Sequence, residues 1–449
     1  MNKNPLFKLI FLFGIIVNLS FVVSVFSHLR IKCYYPFELV HKIPGDGARD
    51  NLYLPEYNKN LAFPYHIQDL YREKTVHMWD RYFYDSTHFE PGFDLFMQFR
   101  GVYNLRKGIN IYDNFLRYEI KDTEKELPYR GLAFAFTPID AYTIYNFFAL
   151  FKVFNAYALW IFMQEILLFL SVFLTRKIAV IYNVDKNLSS SLWLLFSPIY
   201  VDLYMGQAGI IISFLIMLCI YGAQSDKAKW LNIGFLTSLL YKLTTVFYSL
   251  VLLRMRKYWI IIISFTILFL SFFLSYVDHP ENFKKFLYQL GKWDVTPYRG
   301  DFSFKEIIYL FLGKKFALNI GMLLRFSTII AVGYISLKVK NFDPPMLFAL
   351  WSSAYFLLNL RIWEHHFVMI LPAIVYGYIR LQSKFLIFMF IIIALPTPYF
   401  LFNNAPWTSF RHLIYFSSNI IPAILVFLYL LVYHFRKGFY SPIPLINRF

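Results

Sequence analysis

The stretch "LNLRIWEHHFVMILPAIV", residues 358–375, places Arg361, Glu364, His365 and His366 close together between two apolar runs. Ionisable groups at membrane depth are costly, so such a cluster, with Trp363 inside it, belongs on a cavity wall or at a helix end in the interface. The flanking runs decide between a soluble and a membrane fold. The chain has 449 residues, 58% hydrophobic and 21% aromatic with only 16% charged, which excludes an ordinary soluble domain. An all-α polytopic membrane protein is expected, with residues 1–449 as a single transmembrane domain.

Working outward from 358–375, apolar runs occupy 7–27, 156–175, 189–204, 208–224, 229–241, 243–254, 257–276, 317–337, 343–360, 366–381, 384–401 and 415–434. That makes about twelve transmembrane helices. Several runs fall short of the roughly 20 residues a straight crossing needs, so they are expected to break, tilt or begin inside the protein. Residues 28–155 form a large external loop with amphipathic, juxtamembrane stretches at 66–84 and 94–106. Residues 277–316 form a second external loop. The first run follows Lys3 and Lys8, and "SVFSH" lacks a small-x-small cleavage pattern, so it reads as an uncleaved signal-anchor.

Orientation follows from basic residues. Arg176, Lys177, Lys186, Lys227, Lys229, Arg254, Arg256, Lys257, Lys338, Lys340, Arg380, Lys384, Arg436 and Lys437 fall in alternate connections. They are cytoplasmic, as are both termini, if the positive-inside rule holds. The Lys- and Arg-rich 277–316 connection is the exception. A net charge of +17 reads as loops facing anionic headgroups, and no groove motif suggests nucleic acid. Cys33 and Cys219 lie far apart and suggest neither a disulfide nor a cysteine metal site. Phosphate-loop, dinucleotide-glycine, His-Glu-x-x-His and nucleophile-elbow motifs are all absent. "GDGARDN", 45–51, lacks the remaining ligands of a calcium loop.

With this topology the 28–155 loop, Gly206-Gln207, Lys242, the 277–316 loop and Arg361–His366 all face outward. Each has a plainer reading. Lys242 can snorkel from a helix end, Gln207 can belong to a turn, the histidines can be interfacial, and Asp94 after Pro91-Gly92 can cap a helix. Convergence of independent segments on one face is what those readings do not require.

The same segments resemble the membrane glycosyltransferases of the GT-C superfamily, and within it the polyprenol-phosphate-mannose-dependent alpha-mannosyltransferases (glycosyltransferase family 87). "DLFMQFRGVYNLRKGINIYD", 94–113, is similar to the family's first-loop stretch, an aspartate at a helix head followed by Gly-x-x-(Leu/Ile)-Tyr-Asp, here Gly108, Ile111, Tyr112 and Asp113. "LPYRGLAFAFTP", 127–138, resembles its Tyr-Pro-Pro segment, with Arg130-Gly131 in place of prolines. Gly206-Gln207 and then Gly234 to Lys242 resemble its Gly-Gln and Gly-to-Lys pair, without the usual proline after the lysine. In "RGDFSFKEIIYLFL" only Gly300 and Ser303 agree with a Gly-Asn-Gln-Ser segment, whereas "WEHHFVMILP", 363–372, matches a Trp-x-His-(His/Tyr) motif with its downstream proline.

The resemblance implies a GT-C fold in the bacterial cell membrane, and transfer of a sugar, mannose foremost, from a polyprenyl-phosphate donor. The acceptor would be a lipid or glycan hydroxyl on the external face. It implies Asp94 as the catalytic base, with Asp113 and Glu90 in reserve. His365, His366, Lys242 and Arg361 would bind the donor phosphate, and Gln207, Tyr112, Asp113 and Trp363 would contact substrate. An inverting transfer needs only one carboxylate, and the departing phosphate needs donors already in place. No cofactor is expected, and no metal, since the first loop lacks Asp-x-Asp. Three rivals remain open: a sister enzyme using lipid-linked arabinose or an aminosugar, a lipid or sugar transporter, and an enzyme-like scaffold whose site has decayed, which the departures at Arg130, Thr245 and Phe302 keep alive. A transporter calls for midplane polar groups and repeated spans.

Overall fold

The computed structural model describes residues 4–32, 92–106, 108, 110–112, 137–151, 153–291, 302–340, 342–359, 361–395 and 410–439. Those residues are helical throughout their ordered elements, without a strand among them. Five helical stretches are long and apolar enough to cross a membrane: Pro5–Phe26, Asn155–Ile181, Tyr258–Asp278, Lys315–Lys338 and Ser417–Arg436. They belong to helices α1 (Pro5–Lys32), α5 (Val153–Ile181), α11 (Tyr258–Asp278), α13 (Phe304–Lys338) and α17 (Phe410–Phe439). The remaining apolar runs form shorter helices, as their lengths foretold. Asn18 of α1 donates from Nδ2 to both Glu165 carboxyl oxygens of α5, 3.1 Å each, so this one pair of polar groups inside the spans is spent on itself.

Breaks in the short runs have local causes. The 189–204 run is two helices, α6 (Lys186–Leu194) and α7 (Ser197–Met205), because Pro198 lies at the start of α7 and cannot continue a preceding helix. Helices α8 (Gly209–Gln224) and α9 (Ala228–Tyr241) pack through glycines. A Cβ on Gly234 would lie 2.7 Å from the Leu215 carbonyl oxygen and 2.8 Å from Cys219 Sγ, and one on Gly222 2.7 Å from Leu231 N. Small residues thus set this close backbone approach. After α9 the chain turns through a 3-10 stretch, Leu243–Phe247, into α10 (Tyr248–Arg254).

The expected 277–316 loop is partly helical: α12 (Pro280–Gly291) and the first turns of α13 fall within it. Gly313, at φ 77 and ψ 176, divides α13 there. The 28–155 loop contains α2 (Phe93–Arg106), α3 (Pro138–Tyr142) and α4 (Ile144–Phe148), so the 94–106 stretch is the expected helix. The 66–84 stretch, Glu90, Asp113, Arg130-Gly131 and Gly300 lie outside the described residues. Helix α14 (Pro344–Leu358) is followed by a 3-10 helix, Glu364–Ile370, that runs into α15 (Leu371–Leu381), and α16 (Lys384–Ala394) packs on α17.

Hydrogen bonds and ion pairs sort the helix termini into two ends. At one end Lys257 pairs with Asp226 at 2.9 Å, and Arg254 donates to the carbonyls of Ile335 and Ser336 at 3.3 and 3.2 Å. Arg380 pairs there with Asp343 at 3.4 Å, while Tyr182 and Tyr376 both donate to Gln224 Oε1 at 2.6 and 3.1 Å. The last turns of α5, α8, α10, α13 and α15 therefore meet the first turns of α9, α11 and α14. Their other termini, with α2, α3 and α12, gather at the opposite end.

Candidate functional site

That opposite end is assembled around the turn between α7 and α8. Gly206 ends α7 in the left-handed region at φ 71, where glycine is nearly strain-free. A Cβ there would lie 2.7 Å from Leu95 Cβ and 3.4 Å from Gly92 Cα. Gly92 N also donates to the Tyr204 carbonyl at 2.7 Å. The first turn of α2, carrying Asp94 at 7% exposure, is thereby seated on the Gly206 turn. Asp94 is within α2 rather than its cap, because the helix already begins at Phe93.

The α8 N-terminus is not open to an anion. Asp202 accepts from Gly209 N and Ile210 N at 3.0 and 3.1 Å, filling the place a phosphate would take. Gln207 is half-buried in the turn, its backbone N–H donating to the Asp202 carbonyl at 2.9 Å and its carbonyl accepting from Trp160 Nε1 at 3.3 Å. Asp202 lies close enough to feel the charges of both Lys242 and Asp94.

Lys242 leaves α9 in an extended conformation. Thr245 holds this turn: its N–H and Oγ1 both donate to the Lys242 carbonyl, at 3.1 and 2.9 Å. The Lys242 ammonium turns inward over the Tyr355 ring, 4.8 Å from its centre, a cation–π position rather than a snorkelling one. Its charge reaches both His365 and His366.

The histidine turn owes its shape to Pro372. A proline there has no N–H for the Val368 carbonyl, and Ser213 Oγ of α8 supplies that donor at 2.8 Å. Ser352 Oγ of α14 likewise donates to the Met369 carbonyl. With its carbonyls satisfied from neighbours, the 3-10 helix persists inside the bundle. His366 Nδ1 accepts from Trp363 N–H at 3.0 Å, which fixes the neutral ring with its proton on Nε2. The His365 ring packs edge-on to His366 with centres 4.4 Å apart and lies nearly parallel to Trp363 at 6.5 Å. His365 is 6% exposed, and its Nε2 has no hydrogen-bond partner among the described residues; Thr244 Oγ1 is in the same position. Buried polar atoms in that state mark a place for water or ligand.

Asp94, Gln207, Lys242, Trp363, His365 and His366 therefore come to one end of the bundle. Arg361 is exposed at its rim. Tyr112 is buried, its ring 5.8 Å from Phe286 of α12. No group of three or more His, Cys, Asp or Glu residues is arranged to hold a metal among the described residues.

Sequence reasoning missed Asp202, Asp140 and the Lys305–Glu306 pair. The pair is buried, 3.1 Å apart, and lies on the first turn of α13. Phe302 N just before it donates to the Ile362 carbonyl at 2.5 Å, pinning α13 to the histidine turn. Asp202 did carry a signal, as a lone acid in an apolar run four residues before Gly206. Asp140 of α3 is 2% exposed, and burial pushes its pKa well above the ordinary carboxylate range. Comparison with models of known families and with curated proteins finds no match to the chain. Fold and site define an all-helical membrane protein with a buried polar centre at one end.

Proposed function

We propose that the chain is an inverting glycosyltransferase of GT-C type, transferring a sugar, mannose foremost, from polyprenyl phosphate to a lipid or glycan hydroxyl. One observation carries this reading: three segments far apart in sequence deliver a buried carboxyl, a lysine and a histidine pair to the same end of the bundle. The reading takes α1, α5, α6 with α7, α8, α9, α10 with its 3-10 turn, α11, α13, α14, α15 with its 3-10 turn, α16 and α17 as twelve crossings. The Asp226–Lys257 end is then cytoplasmic, and the site external.

Asp94 takes the acceptor hydroxyl's proton as its oxygen attacks C1. The bond from C1 to the phosphate oxygen breaks with inversion, and the polyprenyl phosphate leaves with the electron pair. Lys242 and the Nε2 protons of the histidines meet the developing charge. The histidines serve as neutral donors, since the Trp363 N–H occupies Nδ1 of His366. Arg361 at the rim attracts the phosphate, and Gln207 and Trp363 border the sugar.

Membranes containing the chain, supplied with radiolabelled polyprenol-phosphate-mannose, should label an extractable product, and Asp94→Asn membranes should not. Equal labelling by both would remove Asp94 from the role of base. Donor binding without transfer by the unaltered chain would remove the enzymatic reading.

A further inference from the structure

Asp140 is a second acid near the site, and the oxygens around it count protons. Helix α9 ends at Tyr241, so the carbonyl of Leu240 near its terminus must find a donor elsewhere. It accepts from Thr137 Oγ1 at 2.5 Å, and the same Oγ1 lies 3.0 Å from Asp140 Oδ2. Three oxygens in sequence require two protons between them, or two acceptors would face each other without one. Thr137 supplies a single proton, and it belongs in the shorter contact. The second has only one source.

We propose that Asp140 is a neutral carboxylic acid that donates to Thr137 and, through the Thr137–Leu240 bond, positions the Lys242 turn. Lys242 follows Leu240 by two residues, and its ammonium is held over Tyr355. Thr137 does not use its hydroxyl to cap its own helix, although that is the usual work of an N-cap threonine. Its hydroxyl is turned to α9 instead. Burial acts in the same direction, since a charged carboxylate there would be desolvated. The titratable groups facing Asp140 are tyrosines: Tyr112 beyond α2, Tyr145 of α4 and Tyr241 of α9. From α11, Asp278 is engaged by Tyr142 OH; from α12, Asn282 accepts from Ile111 N at 2.9 Å, while Lys284 is drawn off to Glu281 at 2.7 Å. Asp140 is thus a positioning residue: it touches no substrate and acts through a backbone carbonyl.

This role rests on the reading of Lys242 as a phosphate ligand, whereas the protonation does not. Infrared difference spectra of the purified full chain at neutral pH, unaltered against Asp140→Asn, should lose a carboxylic-acid C=O band that Asp94→Asn retains. Dodecyl phosphate serves as the binding probe. Thr137→Val and Asp140→Leu should each weaken its binding about tenfold, the size of one lost hydrogen bond. Asp140→Asn keeps a donor and should stay within about threefold. In the transfer assay the loss should appear in kcat/KM, since Lys242 meets both the bound phosphate and the charge that develops on it. Loss of an ionised-carboxylate band instead, or an Asp140→Asn as weak as Asp140→Leu, would overturn the proposal. If the unaltered chain bound no dodecyl phosphate, the transferase reading would fall, and the infrared band alone would still decide whether Asp140 carries its proton.

Discussion

The two ends of the bundle use their charged and aromatic side chains differently. At the Asp226–Lys257 end the groups satisfy one another: Lys257 with Asp226, Arg380 with Asp343, Tyr182 and Tyr376 with Gln224. At the other end His365 Nε2 and Thr244 Oγ1 find no partner among the described residues, and Lys242 lies over the Tyr355 ring. Paired groups join helix ends. A buried polar atom without a protein partner marks a place for water or ligand. The backbone differs in the same sense, because the site end contains the extended Lys242 turn and the 3-10 stretches at 243–247 and 364–370, which place side chains that a regular helix would direct elsewhere.

Substitutions should separate the two ends by the size of their effects. Asp94→Asn should lower transfer by about 10²–10⁴-fold, the range for loss of a general base, without altering dodecyl phosphate affinity or the melting temperature; a loss below tenfold would move the base elsewhere. Lys242→Met should cost about 10–10³-fold, as expected for an electrostatic ligand of the leaving group. That loss should ease with donors carrying better leaving groups, and an unchanged response would place Lys242 outside the reaction.

Asp140 gives a pH test. Its folded-state pKa is shifted above the unfolded value by burial, so the folded chain keeps a proton that the unfolded chain sheds. Stability from this source is full below the ordinary carboxyl value of about 3.9 and is lost as pH rises through the folded value. Asp140→Asn should therefore gain in melting temperature over the unaltered chain on going from acid to neutral pH. A difference independent of pH would mean that Asp140 is ionised in both states. At the paired end, Asp343→Asn should leave transfer unchanged and cost at most about 1 kcal/mol in unfolding, since the Arg380–Asp343 bridge is partly exposed. A large loss of transfer there would blur the division between the ends.

Much of this architecture was legible in the sequence because hydropathy reports membrane burial directly. The long spans, the short broken runs and the alternation of basic connections all follow from it. The histidine turn and Lys242 were legible because polar groups inside apolar runs are conspicuous. Asp140 was not, since "FTPID" sits in a mixed polar region where one more acid attracts no notice; only its burial against α9 sets it apart. The packing of the Tyr112 ring on Phe286, 174 positions further on, was illegible for a related reason, since no local pattern reports such a contact. The helices within 277–316 were hidden because an amphipathic surface helix and a charged loop share one composition. Gly313 then divides α13 so that its first turns read as loop.

The central claim is that Asp94, Lys242 and the histidine pair surround one sugar phosphate. A structure determined with a non-hydrolysable polyprenyl-phosphate sugar bound tests it most directly. The phosphate should lie within hydrogen-bond reach of His365 Nε2 and the Lys242 ammonium, with C1 open to a hydroxyl beside Asp94. A phosphate bound at the Arg380–Asp343 end, or a sugar with its C1 turned away from Asp94, would contradict the account.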